Sequence, residues 1–328
     1  MVEASGPWLV ADVGGTNARF GWVDGAARAP VQHIEKLPAA DHAGPADAVR
    51  EYLDGMRRRL GAAYRPPRRA AVAVATAVSG DEVAFTNSHW RFSRRQLQQD
   101  LGLDALLVLN DFEALALSLP RLGPAQLRGH GALPRPQGTL VVIGPGTGLG
   151  VGAVTQTAHG WVAIPGEGGH ATLSAADDFD SALLQVARRE YAHVSAERLL
   201  SGIGLPVLHR AVATVMARPA DSLTAEQIVD RGLDGSDEVC DRTIDSFCAL
   251  LGSFAGNVAL TLGARGGVYI GGGIVPRFAD RFFASRFRER FESKGRFRAY
   301  LQEIPTVLIT DTLAALSGAA LAIEQLED

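Results

Sequence analysis

The sequence predicts an α/β protein in which one half-domain is built twice, and two observations predict it. Residues 9–23 read Leu-Val-Ala-Asp-Val-Gly-Gly-Thr-Asn-Ala-Arg-Phe-Gly-Trp-Val, and residues 140–154 read Leu-Val-Val-Ile-Gly-Pro-Gly-Thr-Gly-Leu-Gly-Val-Gly-Ala-Val. Each is an apolar strand, a Gly-Thr turn and a second strand. Each copy is then followed by the same alternation of short apolar runs and longer helical ones.

The elements follow in order. Trp8–Val13, Arg19–Val23 and Val31–Leu37 read as strands, and a helix follows from Pro45 to Leu60. Ala70–Ala75 is long enough for one buried strand, and Val83–Thr86 for an arm of a short hairpin. Ser93 has the side chain of an N-cap for a helix through Leu101. Leu106–Leu109 is another buried strand, and Asp111 opens an apolar helix that stops at Pro120. In the second half, Leu140–Ile143, Gly150–Thr155 and Gly160–Ile164 are strands. A helical insertion runs from Asp177 to Arg218, and Asp237–Leu262 is one strongly apolar helix. Val268–Ile270 and Val307–Ile309 are the last strands, and Thr312–Gln325 is the last helix.

The order βββαβαβα, occurring twice, is that of the duplicated actin-like ATPase (ribonuclease H-like) fold, two lobes around a cleft. The predicted division is 1–121 plus 312–328 for a small lobe and 122–311 for a large one. The Gly- and Pro-rich segment Arg121–Gln137 reads as the link between them.

Bulk composition narrows the function. The 328 residues suffice for two cores, and 47% hydrophobic with 21% charged residues is ordinary globular composition. A net charge of -4 gives no global basic field for nucleic acid or an anionic membrane. No run approaches the ~20 apolar residues of a membrane span, and the first strand begins too early for a signal peptide. Cys240 and Cys248, eight apart in a helical pattern, are badly placed for a bridge and fit a reducing cytoplasm.

Asp12-Val13-Gly14-Gly15-Thr16-Asn17 is the first chemical motif. Paired glycines let phosphate oxygens approach the backbone, and Thr16 and Asn17 supply donors. Asp12, at a strand end, suits Mg²⁺ held through water. A plain hairpin is the alternative, but the repeat at Gly146-Thr147-Gly148 favours phosphate. Neither cluster is a Walker loop or a dinucleotide fingerprint. Asn110-Asp111 ends a buried strand, where a carboxylate can take the proton of an attacking hydroxyl; Asp111 equally fits a helix N-cap, as does Asp311. Pro165-Gly166-Glu167-Gly168-Gly169-His170 exposes an acid and an imidazole on a turn suited to a polyhydroxy ligand. Glu197 sits in the first turn of an expected helix, where the dipole stabilises an acid. Gly271-Gly272-Gly273 leaves room for a flat adenine or ribose. The Arg- and Phe-rich run Arg286–Arg298 reads as an amphipathic surface helix.

Taken together these strings resemble the bacterial glucokinases: Asp-Val-Gly-Gly-Thr-Asn-Ala-Arg at 12–19, Leu-Asn-Asp-Phe at 109–112, Gly-Thr-Gly-Leu-Gly at 146–150, Pro-Gly-Glu-Gly-Gly-His at 165–170, Glu-Arg-Leu-Leu-Ser-Gly at 197–202 and Gly-Gly-Gly-Ile-Val-Pro-Arg at 271–277. The resemblance runs nearly end to end. It implies ATP-dependent phosphorylation of D-glucose at its 6-hydroxyl, with Asp111 as general base. Asn110, Asp111, Glu167, His170 and Glu197 would contact the sugar. Ala11, Asp12, Val13, Gly14, Gly15, Thr16, Asn17, Gly146, Thr147, Gly148, Gly272 and Gly273 would hold ATP, with Mg²⁺ near Asp12. It further implies a cytoplasmic homodimer and lobe closure that excludes water. Ala11 stands where the family often has glycine, and Pro145 sits inside the second turn; neither removes a functional group. A kinase of the neighbouring repressor-and-kinase group would carry a Cys-rich zinc motif, which two cysteines cannot build. A sugar-sensing regulator would need a DNA-binding extension, which residues 1–7 cannot supply.

Overall fold

The computed structural model describes residues 6–76, 78–85 and 88–326. Thr86, expected in a strand, lies outside them. The chain divides into two compact units, the first comprising Met1–Leu122, Thr157–Ala163 and Thr312–Asp328, the second Gly123–Gln156 and Ile164–Asp311.

In the first unit, strands β1 (Trp8–Val13), β2 (Asn17–Val23) and β3 (Gln32–Pro38) precede helix α1 (Pro45–Leu60). Then come β4 (Arg69–Val74), the short hairpin β5 (Glu82–Ala84) and β6 (Arg91–Ser93), helix α2 (Arg94–Asp100), β7 (Ala105–Asn110) and helix α3 (Asp111–Ser118). The sheet order is β3-β2-β1-β4-β7. β2 lies antiparallel to β1, and β1, β4 and β7 are mutually parallel. β1 is apolar except for Asp12 near its end because both of its faces are covered. Leu9, Ala11 and Val13 pack with Tyr52 and Met56 of α1. Trp8 and Val10 pack with Leu316, Ala319 and Ile323 of the last helix. Full burial of such a side chain contributes about 1.5–3 kcal/mol. Ser93 caps α2 as expected, its Oγ accepting from the Gln96 N–H at 3.1 Å.

The second unit opens with β8 (Leu127–Gly129), β9 (Thr139–Pro145) and β10 (Leu149–Thr157); after β11 (Gly160–Ile164), counted with the first unit up to Ala163, come helices α4 (Asp178–Ala187), α5 (Leu205–Val215), α6 (Ala225–Leu233) and α7 (Glu238–Leu262). β12 (Gly267–Ile270), α8 (Ala279–Ala284), α9 (Phe287–Glu292), α10 (Arg298–Gln302) and β13 (Thr306–Ile309) complete it. α11 (Ala314–Glu324) belongs to the first unit. The sheet order β11-β10-β9-β12-β13-β8 repeats the first sheet and adds β8. α7 is long and apolar enough to cross a membrane, but most of it is buried in the core of this unit.

Four sequence expectations are corrected. Arg121–Gln137 is not a plain link: β8 pairs with β13, because Leu127–Gly129 finds an open sheet edge there. The insertion Asp177–Arg218 is two helices separated by turns: α4 ends at Ala187 and α5 starts only at Leu205, after Gly202 and Gly204, with Pro206 in its first turn. Asp311 is no helix cap: α11 starts at Ala314, and the Asp311 carboxylate accepts from Gln126 Nε2 at 2.5 Å. Arg286–Arg298 is not one surface helix. The chain breaks after Glu292, with Gly295 at φ +54°. Phe287, Phe291 and Arg290 are buried, and Arg290 pairs with Asp177 at 2.9 Å and Asp180 at 2.5 Å.

Candidate functional site

In the first unit the chemistry gathers at the carboxyl ends of β1 and β7. Asn110 caps α3: its Oδ1 accepts from the Phe112 N–H at 2.9 Å, and Glu113 reaches back to the Asn110 N–H, which completes a capping box. Asn110 Nδ2 donates to the Thr76 carbonyl at 3.2 Å. The cap is therefore Asn110, not Asp111, and most of the Asn110 amide is spent on the protein. Asp111 becomes the first residue of the helix, with Oδ1 accepting from the Phe112 N–H at 2.9 Å. Its carboxyl is pushed up to about 6, chiefly by burial and further by the charge of Asp12, while the backbone donors at the helix start pull the other way.

Asp12 sits opposite Arg19 across the β1–β2 ladder, and their side chains meet at 3.0 Å. Burial raises the Asp12 carboxyl and Arg19 lowers it. Arg19 is a partner of Asp12 that the sequence reading left without a role. The signal was available: a hairpin centred on Gly14-Gly15-Thr16 puts these two opposite charges face to face. The Asp12 carboxylate, whose charge also reaches Asp111, is a hard oxygen donor, and this fits Mg²⁺. Ala11 and Val13 keep their side chains in the core. They position the turn and present no side chain to a ligand.

The β1–β2 turn encloses Gly14 to Asn17 between the paired residues Val13 and Ala18, closed by the Gly14 N–H on the Asn17 carbonyl at 2.9 Å. Thr16 is exposed and accepts from Asn17 Nδ2. The β9–β10 turn is one residue shorter. Pro145 pairs with Leu149, and the Gly146 N–H donates to the Gly148 carbonyl at 2.8 Å. A Cβ on Gly146 would meet nothing within 4 Å, and Gly146 does not have a positive φ. The fold itself does not demand glycine at 146. Open backbone at this turn is what an approaching phosphate needs.

The other predicted residues of the second unit converge on this turn. Glu197 lies in the turn segment between α4 and α5, not in a helix, and its Oε2 accepts from the Leu149 N–H at 2.9 Å. The Glu197 N–H donates to the Gly169 carbonyl at 2.9 Å, and His170 Nδ1 is 3.8 Å from Glu197 Oε1. Glu167 and His170 are exposed on the same short turn. Gly272, at φ +74°, brings its backbone so close to Pro145 that a Cβ would lie 2.3 Å from the Pro145 carbonyl oxygen. Gly273 is exposed beside it.

A further trio, His209, Asp237 and Cys240, is drawn together in this unit. Asp237 Oδ1 caps α7 through the Val239 and Cys240 N–H groups, and burial pushes the Cys240 thiol up to about 12. This arrangement is a helix cap against the core. Both cysteines are free and buried.

With this geometry in place, comparison with known proteins decides the family. The glucokinase family model matches residues 9–326. The chain belongs to the glucokinase family. It is 48% identical over 315 residues to a glucokinase of Chromobacterium violaceum, covering 96% of this chain and 88% of that one. It superposes with TM-score 0.90 and 38% identity on the glucokinase of an Antarctic psychrotroph, covering 97% and 98% of the two chains. A more distant glucokinase of the repressor-and-kinase group, from Streptomyces griseus and solved with glucose and AMPPNP, shares the fold. Its TM-score is 0.61 at 19% identity, with 96% and 98% covered. The duplicated two-lobe kinase fold is thus established, and the regulator alternative is not favoured.

Proposed function

We propose that this chain phosphorylates D-glucose at the 6-hydroxyl with ATP as donor. The observation that carries the reading is the Asp111 carboxyl, half-buried at the end of β7 and raised to about 6. It is ionised at neutral pH yet basic enough to take a hydroxyl proton in the transition state. Glu167, His170 and Glu197 bind sugar hydroxyls, and specificity follows because a missing hydroxyl leaves a polar partner unpaired. Asn110 holds Asp111 in place and has one amide proton left for the sugar. Backbone N–H groups of the Gly14–Thr16 and Gly146–Gly148 turns hold the phosphates, and the Gly272-Gly273 backbone holds the adenosine.

Asp12 holds Mg²⁺ through water, and the ion supplies charge neutralisation on the transferred phosphoryl group. Glucose and AMPPNP in the S. griseus relative support the substrate pair. We further propose a cytoplasmic homodimer acting at the entry to glucose breakdown; the two free thiols suit a reducing compartment. The test is a coupled assay of ADP release with ATP, Mg²⁺ and a panel of hexoses. Glucose should give the highest kcat/KM. ATP hydrolysis with no response to any hexose would overturn the reading.

A further inference from the structure

Glu197 stands between two parts of the second unit to which the proposed function gives different ligands. Its Oε2 accepts from the N–H of Leu149, the first residue after the Gly146–Gly148 turn, at 2.9 Å. Its Oε1 points to His170 of the sugar turn at 3.8 Å, beyond hydrogen-bond length. The segment that carries Glu197 also grips the other end of the phosphate turn. The Gly202 N–H donates to the Gly146 carbonyl at 2.8 Å, and the Ile203 N–H donates to the Thr147 carbonyl at 3.4 Å. Space is reserved for this contact: a Cβ on Gly148 would sit 2.4 Å from Glu197 Oε2. One carboxylate oxygen is therefore committed to the phosphate turn, and the other is not held by the imidazole beside it.

We propose that Glu197 is a positioning residue for the phosphate turn as well as a sugar ligand, so that glucose binding strengthens nucleotide binding. This rests on the sugar and phosphate assignments above. A sugar hydroxyl on Oε1 fixes the orientation of the carboxylate. The same carboxylate then holds the Leu149 N–H, and with it the turn, in the shape that receives phosphate. By linkage the nucleotide strengthens sugar binding by the same factor.

The test is calorimetric titration of Mg-AMPPNP into the whole protein, with and without saturating glucose, for the wild type, Glu197→Ala and Glu197→Gln. Wild-type affinity should rise on the order of tenfold with glucose. Without glucose, Glu197→Ala should bind Mg-AMPPNP several-fold more weakly than the wild type, because the Leu149 N–H has lost its acceptor. Glu197→Gln should keep near-wild-type affinity without glucose, since its amide oxygen still accepts, while its glucose affinity falls. A merely structural side chain would not separate the two affinities in this way. The proposal is overturned by a wild type that binds both ligands without coupling, or by unchanged glucose-free nucleotide affinity in a folded Glu197→Ala. A wild type that binds no hexose at all would instead remove the functional reading beneath it.

Discussion

Asp12, at the end of β1, acts on the carboxyl of Asp111, which follows β7 two strands away in the same sheet. The negative charge of Asp12 adds to burial in pushing the Asp111 carboxyl to about 6, while Arg19 holds Asp12 at 3.0 Å. The consequence is that the proposed base is tuned by an acid that is itself tethered.

The rate should therefore follow the ionisation of Asp111. kcat/KM for glucose is expected to rise through an acid limb near pH 6 and level off above it. Asp12→Asn removes the charge that raises Asp111, so the limb should move to lower pH even as the plateau falls through weaker Mg²⁺ binding. A pH–rate profile of the two proteins checks this; a limb that stays in place would remove Asp12 as the tuning group.

Asp111→Asn should cost about 10²–10⁴-fold in turnover while glucose still binds. It should also stabilise the protein. A carboxyl with its folded value raised from 3.8 to about 6 favours folding below the lower figure, and that advantage is lost as pH rises through the upper one. Above pH 6 the ionised group therefore costs about 3 kcal/mol relative to a neutral one. The Tm gain of Asp111→Asn should be largest near pH 8 and shrink toward pH 5, as read by thermal melts. An equal gain at both pH values would mean that the Asp111 charge is not the cause.

Gly318→Ala should loosen the seat of Asp111. A Cβ at 318 on α11 would lie 1.7 Å from the Ala114 carbonyl oxygen on α3, the helix that Asp111 begins. The helices must move apart, at a cost of about 1–3 kcal/mol. Lower Tm and lower kcat are both expected. A variant with wild-type Tm and kcat would show that this close approach is dispensable.

Arg290→Ala should destabilise the second unit by about 3–5 kcal/mol, because Asp180 would be left buried without its partner. The double variant Arg290→Met with Asp180→Leu should recover much of that loss, since an apolar pair can replace a buried ion pair. Denaturant melts of both decide the point.

By itself the sequence determined the duplicated core, the position of nearly every strand, and the turns and acids of the proposed site. These are local signals: apolar runs of strand length, Gly-Thr turns and an acid at a strand end speak through neighbouring residues. Only the tertiary structure decided which partner each of these side chains takes. Asn110 and Asp111 are both good caps, and the choice fell to Asn110 because Thr76, from the next strand's end, accepts its amide and fixes the side chain. Glu197 looked like any helix-start acid until folding brought the Leu149 N–H to it from 48 residues away. Arg290 looked like a surface charge until α9 packed it against Asp180, 110 residues distant. Side chains choose their partners from whatever the fold delivers, and contacts at that separation leave no periodicity in the chain.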